Sequence, residues 1–275
     1  MRRWALTRRI LTTLRKLAES WQHLAIMLHW FKFHASVRDP EPARDILRKL
    51  PPGRGHPEEC PPLRAANGFG FDVLTSFDMT FTRQKEGGWK LEQPVTLTAD
   101  WAFAPVDHEP AEPQSQVNAW FWEQGQTVPH RITDDVFPLL RNQVKVSTWL
   151  YLTTDPGELL CITAIPNLWR PWRSFTALVD ADRYNASYPW HCVLELDPRE
   201  SQIHIPAGEP ICRLYAVPRQ DQVAREMSPD AFGEYFLRGQ EWLAQARHGG
   251  DDELADITGQ YAKLMQRVRF RVERA

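Results

Sequence analysis

Cysteine is scarce in this 275-residue chain: Cys60, Cys161, Cys192 and Cys212 are the only four. None belongs to a C-x-x-C pair, which removes a zinc knuckle or a thioredoxin-type centre. An excess of one charge is missing too. The formal net charge is −2, so no global field draws the chain to nucleic acid, and none is expected as a partner. The first twenty residues hold no continuous apolar run of the roughly 7 to 15 residues that a signal peptide needs, and no small-residue cleavage site. That stretch is expected to be neither a leader nor a spanning helix. No transmembrane segment and a reducing cytoplasm are therefore expected. P-loop, G-x-G-x-x-G after a strand, G-x-S-x-G and H-E-x-x-H motifs are also absent, and the cofactor stays unknown at this point.

What is present in unusual amount is tryptophan and proline, twelve and twenty-two residues. An interior proline costs a helix roughly 3 kcal/mol, so this density argues against a mainly helical fold. Indoles supply large surfaces for burial or binding. Three alternating apolar runs between Thr148 and Arg219 carry the turn signals Asp-Pro-Gly, Asp-Ala-Asp-Arg-Tyr and Pro-Ala-Gly-Glu-Pro. Cys161, Cys192 and Cys212 sit in those runs and read as small core hydrophobes. Cys60, before Pro61-Pro62, is the one candidate reactive thiol.

The expected fold is mainly β with terminal helices, an antiparallel jelly-roll or β-clip-like sandwich or barrel. Connections between the strands are too short for parallel crossovers. Three regions follow: 1–62, an amphipathic helix and proline-rich tether; 63–220, the β core; and 221–275, a helical extension. Leu6, Ile10, Leu14, Leu17, Trp21, Leu24 and Leu28 recur at steps of three and four, which predicts a helix over residues 1 to about 34. Arg2, Arg3, Arg8, Arg9, Arg15 and Lys16 make it basic. It can dock on the β body, join a second subunit, lie on a membrane surface or meet an anionic partner. Thr133 is a plausible N-cap for a single helical turn in RITDDVFPLLRNQ. Ser-Pro-Asp at 228–230 opens a helix that Gly249-Gly250 stops. The last residues read as another helix, acidic first and basic last.

From Trp30 to Arg219 the chain resembles a family of uncharacterised bacterial and phage proteins. The likeness is carried by Cys60-Pro61-Pro62-Leu63, GFGFDV, the Pro-Gly hairpin before a strand ending in Pro166-Asn167, the Val-Asp-x-Asp-x-Tyr turn and Gly208-Glu209-Pro210. It implies no chemistry. More distantly, Ala177–Tyr184 and Ala207–Cys212 resemble two elements of the β-clip, or dUTPase-like, architecture. That resemblance implies Asp180 activating a water and Tyr184 packing on a sugar. The Arg-Ser-Gly phosphate loop is replaced here by CITAIPN, and the glycine-rich C-terminal arm is absent, so the resemblance carries the fold and little of the activity.

Asp180, Asp182, Arg183 and Tyr184 form the densest polar group. Two carboxylates on a turn can hold a divalent cation or activate water, and the adjacent arginine can clamp an anion. They can equally be a structural turn, with the carboxylates on backbone amides, Arg183 paired to one of them and the Tyr184 ring in the core. Trp169, Arg170, Trp172 and Arg173 interleave rings with guanidinium groups, as suits a flat or anionic ligand. A packed loop with solvated arginines reads equally well. His191 fits a satisfied strand residue or a ligand contact. His130 lies in a loop, and His204 points opposite Ile203 and Ile205. No pair of histidines has metal spacing, so no metal site is assigned, although one assembled across strands stays open. The foremost reading of function is binding of a small anionic or aromatic ligand near residues 167–191. The alternative is an assembly factor that joins a protein partner or its own copies through the terminal helices. A metal-assisted hydrolase or oxygenase ranks third.

Overall fold

The computed structural model describes residues 27–44, 60–102, 112–122, 136–184, 186, 188–246 and 261. The helix read over residues 1–26, the N-cap at Thr133, His130, and the Gly249-Gly250 stop lie outside them. The last helix does too, apart from Tyr261. In chain order the first strands are β1 (Leu28–Lys32), β2 (Glu41–Pro42), β3 (Phe71–Leu74), β4 (Met79–Arg83) and β5 (Trp89–Glu92). Then come β6 (Thr96–Thr98), β7 (Ser115–Val117), β8 (Ala119–Phe121), β9 (Gln143–Ser147), β10 (Leu150–Thr154) and β11 (Glu158–Thr163). The last are β12 (Trp172–Ser174), β13 (Ala177–Val179), β14 (His191–Leu196), β15 (Gln202–Ile205) and β16 (Pro210–Pro218). The helices among the described residues are α1 (Pro61–Asn67), α2 (Phe137–Leu140) and α3 (Pro229–Ala246).

The protein is mainly β, and the strand pairings are antiparallel. A five-stranded sheet runs β13-β11-β16-β3-β2, a four-stranded one β12-β14-β9-β8, a three-stranded one β15-β4-β5, and two ribbons pair β1 with β10 and β6 with β7. One core joins them. Val73, Leu160 and Leu214 from the largest sheet meet Val144, Cys192 and Leu194 from the second, and Phe81, Ile203 and Ile205 from the third. Strands β14 and β15 alternate inward and outward along their length, the period-2 pattern that one buried face requires. His204 points away from Ile203 and Ile205 and meets Thr80, Nδ1 to Oγ1, at 3.0 Å.

The turns follow their glycines. Asp155-Pro156-Gly157 closes β10 onto β11 through the Glu158 N–H to Asp155 C=O bond of 3.1 Å, with Gly157 at φ 89°. Pro206 to Glu209 does the same between β15 and β16, with Gly208 at φ 87°. Both have positive φ at the third turn residue, which glycine adopts without steric cost. Cys60 is exposed and caps α1, with prolines in its first turn, where their missing N–H groups are not needed. Cys161, Cys192 and Cys212 are buried as small hydrophobes. Ser228 opens α3, its Oγ accepting from the Ala231 N–H at 3.2 Å. The short turn α2 forms before β9.

One expectation is corrected. Residues 28–32 are strand, not helix: β1 pairs along its length with β10, Leu28 opposite Thr154 through Lys32 opposite Leu150. Leu28 is buried, Trp30 packs against the core, and Phe33 beyond it is fully buried. The same apolar spacing thus ends in a period-2 segment whose backbone is satisfied by β10. No helix among the described residues is long and apolar enough to cross a membrane.

Candidate functional site

The Asp180 turn is a clasp. The Asp180 carbonyl accepts from the backbone N–H groups of Arg183 and Tyr184 at 2.9 and 2.7 Å. Its carboxylate accepts from Arg219 Nε at 2.6 Å, and the same guanidinium reaches Asp182. The other Asp182 oxygen takes the Gly157 N–H at 2.9 Å. Arg219 and that amide hold the Asp182 carboxyl down at about 2. Both carboxylates therefore tie the end of β13 to the β10–β11 turn and to the end of β16. The partner is Arg219, 39 residues beyond Asp180 and 37 beyond Asp182, rather than the neighbouring Arg183, whose side chain is exposed. Among the described residues no three His, Cys, Asp or Glu side chains converge as a metal site would require.

The tryptophan–arginine loop is spread out. Trp169 is 89% exposed. Arg170 turns inward, donating to the Pro210 carbonyl at 2.8 Å and pairing with Glu209. Its guanidinium carbon lies 5.2 Å from the Trp172 ring, and Trp172 packs on the core. Arg173 meets Glu195 across the β12–β14 pair, through Nε and Nη2 at 2.9 and 2.6 Å. The cations of this loop already have anionic partners.

A different group of side chains gathers on the outer face of the four-stranded sheet. Inward positions Cys192, Leu194 and Leu196 of β14 fill the core, which sends His191, Val193 and Glu195 outward. Register places Trp120 of β8 opposite Lys145 of β9, and Lys145 opposite Val193. The Lys145 ammonium sits 3.9 Å from the centre of the Trp122 ring. The His191 ring lies edge-on to Trp120, centroids 5.3 Å apart, and stacks against Tyr188 at 6.4 Å. Tyr188 in turn shares a 2.7 Å hydroxyl bond with Tyr184, whose ring meets Trp190. Of the residues singled out in the sequence, Tyr184 and His191 come together here. Trp169, Arg170, Trp172 and Arg183 do not.

The electrostatics of this face are unusual for an open sheet. Burial, and then the nearby Lys145 ammonium, push the His191 imidazole below its ordinary range. Burial lowers Lys145 as well. Burial and the Tyr184 hydroxyl raise Tyr188 to about 12. His191 Nδ1 and Trp122 Nε1 are buried without a hydrogen-bond partner. No described carboxylate lies within ion-pair distance of Lys145. A partly desolvated cation flanked by indole, phenol and imidazole rings can take a flat anion, the rings stacking on its plane and the ammonium meeting its charge. Lys145 was hidden in the sequence because only strand register brings it beside Trp120 and His191. Its position in QVKVS, polar between two buried valines, was the available signal.

The fold and this face define a mainly antiparallel β protein with an aromatic and cationic sheet surface. No family model matches the chain, and no curated protein matches it. Among solved structures it is similar to the dUTPase of Staphylococcus bacteriophage 80alpha, at 11% identity over 74% of this chain and 96% of that one, with a TM-score of 0.34. It is also similar to the dUTPase from phage phi11 of S. aureus, at 10% identity, 74% and 96% coverage and a TM-score of 0.32. These neighbours assign no role to any residue of this chain.

Proposed function

We propose that the protein binds a small planar anion on the outer face of β8, β9 and β14. Trp120, Trp122 and Tyr188 supply ring surfaces, Lys145 the countercharge, and His191 a polar edge. The observation that carries this reading is Lys145, a cation drawn out of bulk water onto an indole with no described carboxylate to neutralise it. Desolvating a charge without pairing it is costly. An incoming carboxylate or phosphate removes that cost.

Titration of the protein with nucleotides and aromatic carboxylates, followed by tryptophan fluorescence, tests this. A charge-assisted hydrogen bond is worth about 1.5–3 kcal/mol, so Lys145→Met should weaken binding by roughly 10- to 100-fold. The affinity should also fall as pH rises, starting below the ordinary lysine value of 10.5, because only the protonated amine pairs with the anion. No quenching by any flat anion, or equal affinity in Lys145→Met, would overturn the proposal.

A further inference from the structure

Independently of the ligand face, a small cavity lies where β8 begins and β9 ends, against the segment joining β3 and β4. Asn118, Ser147, Thr75 and Ser76 line it, together with Val146 and Trp149. Its free space is about 10 Å³, close to the least that admits one water molecule. Asn118 is 2% exposed. Its Oδ1 accepts from the Val95 N–H at 3.1 Å, which fixes the orientation of the amide. Nδ2, at the other end, is buried with no hydrogen-bond partner among the described residues. A stranded buried donor is costly, and native interiors supply one with an acceptor.

The hydroxyls of the wall complement that donor. Ser147 Oγ already accepts twice, from Gln116 Nε2 at 3.0 Å and from the Trp149 N–H at 3.1 Å, so its own proton is left to donate. Thr75 Oγ1 gives its proton to the Pro206 carbonyl at 3.0 Å and keeps its lone pairs. Ser76 Oγ accepts one bond, from the Arg38 N–H at 3.1 Å, and keeps a second lone pair. The wall thus offers two donors and two acceptors, the complement of a water molecule with all four of its bonds made. A cation would meet the amide donor, and an anion the hydroxyl lone pairs. Backbone strain marks the same place. Trp149 has φ 59°, a left-handed conformation that a bulky residue keeps only where its surroundings hold it. What holds its N–H is Ser147 Oγ, the hydroxyl with a proton to give.

We propose that this cavity is a binding site for one internal water, which accepts from Asn118 Nδ2 and Ser147 Oγ and donates to Thr75 Oγ1 and Ser76 Oγ. The water ties the start of β8 to the segment between β3 and β4. The full chain, labelled with nitrogen-15, is read by laboratory-frame and rotating-frame Overhauser transfer from water. The Asn118 Nδ2 protons should show dipolar cross-peaks to water, of the sign given by a molecule that tumbles with the protein. In Ser147→Ala the cross-peaks should persist; their loss there would trace them to the serine hydroxyl and overturn the proposal. Val146→Ile adds a carbon to the cavity wall. It should abolish the cross-peaks and lower the urea midpoint, because Nδ2 is then stranded. Absent cross-peaks in the unaltered chain would overturn the proposal. So would a higher midpoint in Val146→Ile, the result of filling a dry void.

Discussion

At the scale of single residues, His191 ties folding to pH. Its imidazole is kept neutral by burial and by Lys145, below the ordinary 6.5. The unfolded chain therefore takes up a proton near that value while the native protein does not, and stability is lost as pH falls through it. His191→Gln should show a flatter acid limb, its urea midpoint changing less than that of the wild type between about pH 7.5 and 5.5. Parallel profiles would mean that His191 is not held neutral. The sequence marked His191 as a strand residue with two readings, and its place in the alternation of β14 was legible. Its neighbours were not. Trp120 and Lys145 stand far from it along the chain and reach it only through two strand pairings. The same limit explains Asp180 and Asp182. Their turn was visible locally, but Arg219 arrives from the end of β16.

At the scale of elements, the pairing of β16 with β3 rests on a buried ion pair. Arg213 faces Asp72 in register and donates to both carboxylate oxygens, Nε at 2.7 Å and Nη2 at 3.1 Å. Nη1 reaches the Ala66 carbonyl in α1 at 2.7 Å. Arg213 is 1% exposed and Asp72 6%, so α1 is locked over the outer side of the sheet. Removing one partner strands the other in the interior. Arg213→Met should cost about 3–5 kcal/mol, and Arg213→Met with Asp72→Leu should recover much of it. Chemical unfolding of the three proteins decides this, and a double variant no better than the single one would contradict it. Strands and glycine turns were readable because period-2 alternation and positive φ are local properties. The strand Leu28–Lys32 was not, since its apolar steps continue a helical spacing and only β10 selects the extended form.

At the scale of the whole molecule, the described strands form five antiparallel sheets and ribbons around one core, and the ringed face of β8, β9 and β14 lies outside it. Composition and turn chemistry anticipated the mainly β class. They could not place a binding face, because a face is made by register between strands distant in sequence. We assign the proposed ligand to the Trp120–Lys145–His191 face and not to the Asp180 clasp. Protein labelled with nitrogen-15 at tryptophan and arginine, titrated with a flat anion such as a nucleoside monophosphate, tests it most directly. The indole signals of Trp120 and Trp122 should shift in a saturable way while the Arg219 guanidinium signal stays put. Shifts centred on Arg219, with the two indoles unmoved, would contradict it.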